Sequence, residues 1–305
     1  AQVRAVQLAD ACESQFGATP ETRDRCLDVV AAVELLQPEA GILLAGANPV
    51  LGTASPLGTR GGLPRFAVGG RIHFVGAEVP DVFTSSTATG EPLHFFVPFP
   101  QADVAVGLYN GVSLLPGVRG FGALDAVVSA SLIPAVEEIE ETKVVWGLGG
   151  RFGLMEETFV LPGASIAVVY KDVERLQVGS LDEGDRAEFG ADLRVLSVRA
   201  AASKTLLTLG VTGGVGWDRY RSDIDFRFDD PILPGTTRTV FSEEDPAPLE
   251  SERWSAFIEM RWTLTVMSLV GQLGIQEHDA RTLSDGATGV ESGGLFGGIG
   301  LRLGL

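Results

Sequence analysis

The chain has 305 residues, 45% of them apolar, and its 40 acidic side chains against 23 basic ones give a net charge of −17, a size that fits one large barrel or two average soluble domains. The acid excess, with Lys143, Lys171 and Lys204 as the only lysines, argues against nucleic acid or an anionic surface as a general partner. Mean hydropathy is +0.21, yet no run of about 18 apolar residues is present to make a membrane helix, and 39 glycines speak against a helical bundle.

The opening Ala1-Gln2-Val3 carries neither a basic nor an apolar leader, which reads as a mature start after signal-peptide removal. Residues 1–45 are the one helical region. Val3 to Phe16 is expected as a first helix, and Thr19-Pro20-Glu21 supplies an N-cap, a proline at N1 and an acid for the first turn of a second. Leu27, Val30, Val33, Leu35 and Leu36 give that second helix an apolar side. Cys12 and Cys26 are expected to staple the two helices as a disulfide, with two buried free thiols as the alternative. Residues 46–63 are rich in Gly, Pro, Ser and Thr and have no period, so they read as an irregular linker or as a plug folded into a lumen.

Residues 64–305 alternate between apolar and small or polar positions in about ten segments, the pattern of strands with one apolar face. Phe66, Val68, Ile72 and Phe74 oppose Arg71 and His73 in the first, and a second near 103–115 sets Val104, Val106 and Leu108 against Asp103. The third opposes Leu124, Val128 and Leu132 to Asp125, and the fourth opposes Trp146, Leu148 and Phe152 to Arg151. A short fifth keeps Ile166, Val168 and Tyr170 in phase. In the sixth, Leu193 and Val195 fall out of phase with Leu196 and Val198, which a bulge would reconcile. The seventh opposes Val211, Val215 and Trp217 to Asp218, and the eighth opposes Trp254, Ile258 and Trp262 to Glu259 and Arg261. Leu269, Leu273 and Ile275 mark the ninth, and Leu301, Leu303 and Leu305 alternate with Arg302 in the last.

The connections alternate as well. Those near 80–101, 134–142, 172–187, 222–251 and 277–294 are long, whereas those near 116–118, 156–162, 201–203 and 263–266 are short. The fold expected is all-β: a transmembrane antiparallel up-and-down barrel of about ten strands, eight and twelve being alternatives, behind an N-terminal helical hairpin. Both termini are expected on the periplasmic side of a bacterial outer membrane and the long loops outside. Trp146, Trp217 and Trp254 then fall near the outer interface and Trp262 near the inner one, as an aromatic girdle.

The alternating Leu301, Leu303 and Leu305 resemble the C-terminal targeting signal of bacterial outer-membrane barrels, which usually ends in Phe or Trp where this chain has Leu305. The helical hairpin with Asn48-Pro49-Val50 resembles the hatch of the long-chain fatty-acid transporter family, which implies an N-terminal segment held inside the barrel.

On the inward face, Arg71, Asp103, Asp125, Arg151, Asp218, Glu259, Arg261 and Arg302 are the expected lumen lining, either a pore's charged wall or an internal ion-pair network. The leading function is passage or binding of small solutes, hydrophobic ones included. Self-association through the loops, as oligomers or a surface array, is the alternative. Acids at Glu137, Glu138, Asp223, Asp225 and Glu250 suit a solvated loop surface and lack the spacing of a calcium loop. A barrel hydrolase is the distant third reading, since His73, His94 and His278 are the only imidazoles and His278 beside Asp279 has no nucleophile near it in sequence. No catalytic residue, metal or cofactor is expected; outer-membrane lipid is the expected partner.

Overall fold

The computed structural model describes residues 10, 12–14, 19–79, 93–135, 142–181, 184–229, 236–242, 244–277, 279–282, 289–292 and 294–304. Ten long strands form the wall: β1 (Phe66–Val79), β2 (Leu93–Tyr109), β3 (Leu124–Ile133), β4 (Lys143–Met155), β5 (Gly163–Val178), β6 (Ala187–Leu206), β7 (Leu209–Asp229), β8 (Ala247–Leu264), β9 (Met267–Gln276) and β10 (Leu295–Gly304). Each pairs antiparallel with its neighbour in sequence, and β10 returns to β1 in register from Phe296↔Val75 to Gly304↔Ala67. The ten-stranded ring is therefore closed, with no open edge at its seam.

Side chains alternate across this wall. Along β9, Met267, Leu269, Leu273 and Ile275 are exposed while Ser268, Val270, Gln272 and Gln276 are buried. Ile258, Met260, Leu301 and Leu303 join the outward set, so the barrel wears a continuous apolar belt that only lipid can cover. Trp254 pairs with Trp217 at one border of the belt, and Trp262 stands eight residues further along β8. That is about 27 Å along the strand and roughly 21 Å along the normal at a 40° tilt, close to the height of an outer-membrane apolar band. The architecture is that of an outer-membrane β-barrel.

Beyond Trp217 the outward residues turn charged. Arg219 and Arg221 each bind Glu250 at 3.1 Å, and Arg194 binds Asp223 at the same distance. Strands β5 to β8 thus rise past the belt as a water-exposed sheet, extended further by Thr237–Phe241 on the edge of β7. This corrects the expected connections at 172–187 and 222–251, much of which is strand. With no lipid facing them, these stretches lost the apolar alternation that marks a membrane strand. The second strand likewise starts at Leu93 rather than near 103.

Inside the barrel lies α1 (Pro20–Ala45), about 39 Å long. Arg23 N donates to Thr19 O at 3.0 Å at its start. Gly46, in the left-handed region at φ +66°, ends it, with its N–H on Ile42 O at 2.8 Å. The helix enters at the long-loop end, where Val29, Val30 and Val33 pack with Phe189, Ile224, Phe226, Phe228 and Leu249 of the raised sheet. Cys12 and Cys26, joined by a disulfide, are buried in the same cluster. Leu27, expected on the apolar side, is 36% exposed instead. Most of the first expected helix lies outside the described residues.

From Gly46 the chain descends without regular structure to Gly58, makes a small hairpin of Thr59–Arg60 with Leu63–Pro64 at the short-turn end, and becomes β1. Cys12 and Leu303 are consequently at opposite ends of the barrel. The expectation that both termini stand on one side concerns Ala1 and Leu305, which lie outside the described residues.

Two further expectations are corrected by the plug. The sixth strand needs no bulge between Leu193 and Val198, since its register with β7 runs unbroken. Leu193 and Val195 face α1, with Ile42, Leu43 and Leu44 in the same buried cluster, so this strand is apolar on both sides. The turn expected at 201–203 lies at Leu207, φ +58°. Small residues there signalled a turn but serve close packing: Ser203 Oγ accepts from Ala54 N at 2.9 Å.

Candidate functional site

Among the described residues, the lumen is where buried charge, an irregular backbone and a closed wall meet. Residues 46–58 cannot satisfy their own peptide groups as a helix would, and at membrane depth they have no bulk water. The wall supplies the partners. Cations take the carbonyls and acids take the amides.

The carbonyl of Leu44 accepts from Lys171 Nζ at 2.6 Å. Those of Gly46 and Ala47 accept from the Arg199 guanidinium at 2.8 and 3.0 Å. Asn48 O accepts from Arg71 at 2.8 Å, Thr53 O from Arg151 at 3.1 Å and Leu51 O from Arg302 at 3.4 Å. On the acidic side, Glu259 Oε2 receives Gly52 N at 3.0 Å and Asn48 Nδ2 at 3.3 Å. Asp125 receives Leu57 N and Gly58 N, each at 3.1 Å. Lys171 and Arg199 stand beyond the helix C-terminus, where the macrodipole favours positive charge.

Three of the arginines share one plan. Arg71 pairs with Asp103 at 2.6 Å, Arg151 with Asp125 at 2.7 Å and Arg199 with Asp218 at 2.7 Å, each acid on the adjacent strand. One edge of the guanidinium holds the wall carboxylate while another donor reaches the plug, a use that needs the planar five-donor fork of arginine. All six side chains are nearly inaccessible, none above 6%. Gln101 extends the network, donating to Asp103 and accepting from Lys171 Nζ at 2.9 Å and Ser131 Oγ at 3.1 Å.

Packing closes what the charges leave. Tyr220, fully buried, accepts a hydrogen bond from Gln276 Nε2 at 2.7 Å and lies against Gly41, where a Cβ would intrude into the ring. A Cβ on Gly107 would meet the backbone of Gly58. Gly153 and Gly300 make room for the plug in the same way, at Pro56 and Leu51, whereas Gly147, Gly214 and Gly274 make room for wall side chains.

The structure thus brings the eight expected lining residues to the inward face: Arg71, Asp103, Asp125, Arg151, Asp218 and Glu259 buried, Arg261 and Arg302 partly so. Arg261 donates to Thr205 Oγ1 at 2.6 Å and is the one of the eight with no hydrogen bond to the plug or ion pair among the described residues. Arg199 and Lys171 were missed. Alternation could have found both, since Lys171 follows outward Tyr170 and Arg199 follows outward Val198. Arg253 is a third inward cation the sequence reading passed over. With Lys143, which shares the inward face of Val145 and Arg151, the inward faces of β1 to β10 therefore carry eight cations, these four with Arg71, Arg151, Arg261 and Arg302, against Asp103, Asp125, Asp218 and Glu259.

Other expected residues fall elsewhere. Trp146, Trp254 and Trp262 are outward and more than half exposed, and Trp217 is outward and partly covered. Asp223 and Glu250 lie in strands and are paired with arginines, as is Asp225 with Arg175 at 2.7 Å. His73 points inward and shares a hydrogen bond with Gln272 at 2.8 Å. Glu137, Glu138 and His278 are outside the described residues.

No protein-family model matches the chain, and no curated protein matches it by sequence. Solved structures similar to it include the translocator domain of the autotransporter NalP from Neisseria meningitidis, 11% identical over 90% of this chain and 97% of that one, with a TM-score of 0.46. The outer membrane protease OmpT from Escherichia coli is 10% identical over 79% and 96%, with a TM-score of 0.35. The toluene transporter TbuX from Ralstonia pickettii is 12% identical over 85% and 98%, with a TM-score of 0.31.

Proposed function

We propose that this protein is a gated barrel of the bacterial outer membrane, in which residues 20–58 are a plug that closes a passage for small solutes. The long loops face the outside and the short turns the periplasm, so the disulfide clip stands at the outer mouth and the end of β10 at the inner one. The observation that carries the reading is how the lower plug is held. From Leu44 to Gly58 it is bound mainly through its own backbone carbonyls and amides by wall charges, and water or a polar solute can replace such bonds one for one. An inert plug would be expected to lock by extensive apolar packing along its whole length, whereas here such packing is broad around α1 and below Ala47 comes down to a small cluster of Val50 and Leu57 on Ala67, Ala105 and Val127. The hatch-like reading of the first sixty residues belongs to the same proposal.

The test is conductance in planar bilayers. Wild-type protein is expected to be closed with rare openings, and Gly41→Leu, which forces the helix off Tyr220, to conduct in steps. Silence from both, with heat-modifiable migration showing folded barrels, would refute passage and leave a structural barrel.

A further inference from the structure

Resting on that reading, we infer that the solute this lumen accepts is an anion carrying carboxylate or phosphate oxygens, and that the plug occupies the lumen as a surrogate for it. Two independent features lead there. The first is charge. A chain with a net charge of −17 has placed eight cations against four carboxylates on the inward faces of β1 to β10. The plug segment that touches these cations, Leu44 to Gly58, carries no acidic side chain and meets them with its main-chain carbonyl oxygens alone. A wall whose cations outnumber its carboxylates, and which meets only neutral carbonyl dipoles from the plug, keeps an excess of positive charge that favours an anionic occupant.

The second feature is geometry. Arg71, Arg151 and Arg199 are each fixed on one edge by a wall aspartate, so their orientation does not depend on the plug. Their plug-side donors, with Lys171 Nζ, are satisfied by main-chain carbonyl oxygens. When the plug leaves, those N–H groups are left pointing into the lumen, pre-oriented for oxygen acceptors, with guanidinium forks that match carboxylate and phosphate. Further down, Arg261 Nε and Arg302 Nε are buried with no hydrogen-bond partner among the described residues even while the plug is seated. A hydrophobic solute, one expectation from the sequence, would have to pass these charges without offering them anything.

Ion selectivity of the opened barrel tests the inference. The full-length protein would be opened by either of two plug substitutions that leave every wall charge in place. These are Gly41→Leu, and Gly46→Leu, which combines a left-handed backbone (φ +66°) with a Cβ 2.9 Å from the His73 ring. In a KCl gradient near 0.1 M, where screening extends over about 10 Å, the reversal potential is expected to show chloride permeating better than potassium. Inorganic phosphate is expected to reduce the chloride current by binding at the vacated arginines. Adding Arg261→Glu and Arg302→Glu to either opened variant should bring the chloride-to-potassium permeability ratio from above one to below one.

Opened barrels that prefer potassium, or that show no preference, overturn the anion assignment while passage itself stands. Folded variants that never conduct overturn both.

Discussion

Arg199 serves two masters, Asp218 in the wall and the Gly46 and Ala47 carbonyls of the plug. Replacing it by methionine leaves a buried carboxylate without a counter-ion, which in general costs about 3–5 kcal/mol. Arg199→Met should therefore lower the urea midpoint of the refolded barrel substantially, and Arg199→Met with Asp218→Leu should recover most of the loss. An unchanged midpoint for the single variant would deny the pair its role. At the foot of the plug, Gly107→Val drives a side chain into Gly58 and detaches its amide and that of Leu57 from Asp125. Trypsin cleavage at Arg60 is expected to accelerate in that variant, with Arg119 as the internal control. At this scale alternation made the inward charges legible, because the pleat leaves no freedom in which face a residue takes. It failed where a strand has two apolar faces: Leu193 and Val195 blurred the phase of β6, and Arg199 was lost with it.

Among the elements, α1 is held in two different ways along its length. Its upper half is anchored by apolar packing on the raised sheet and by the disulfide clip, and its lower end by Lys171 and Arg199. A disulfide closing a loop of about 15 residues contributes roughly 3 kcal/mol in the chain-entropy account. Cys12→Ser with Cys26→Ser should thus raise hydrogen exchange in Val29 to Leu36 while the wall strands keep their protection. Equal loss of protection in β1 and β10 would mean that the clip stabilises the whole barrel instead. The sequence showed the helix start at Thr19 through cap chemistry. It could not show how far β5 to β8 rise, because Arg194, Arg219 and Glu252 face water there and carry no lipid-imposed period.

For the whole molecule, the belt, the girdle and the alternation of long and short connections define an axis, and its direction is open to a simple measurement. Thr237 is exposed beside the raised sheet, and Phe159 is 97% exposed in the β4–β5 turn, held out by Lys204 on the Thr158, Phe159 and Leu161 carbonyls. On intact cells, a membrane-impermeant maleimide should label Thr237→Cys and spare Phe159→Cys, the native cysteines being paired. The opposite pattern would invert the barrel and place the clip in the periplasm. The described part of the chain passes once through a ring built from its own later residues, entering at the clip and leaving at the Thr59–Pro64 hairpin to become the first strand of that ring. Seating the plug after closure would require the disulfide-linked clip to travel the length of a lumen that is only as wide as α1. The order of assembly expected is therefore that residues 19–58 are laid on the wall while it is still an open sheet, and that the β10–β1 seam closes around them.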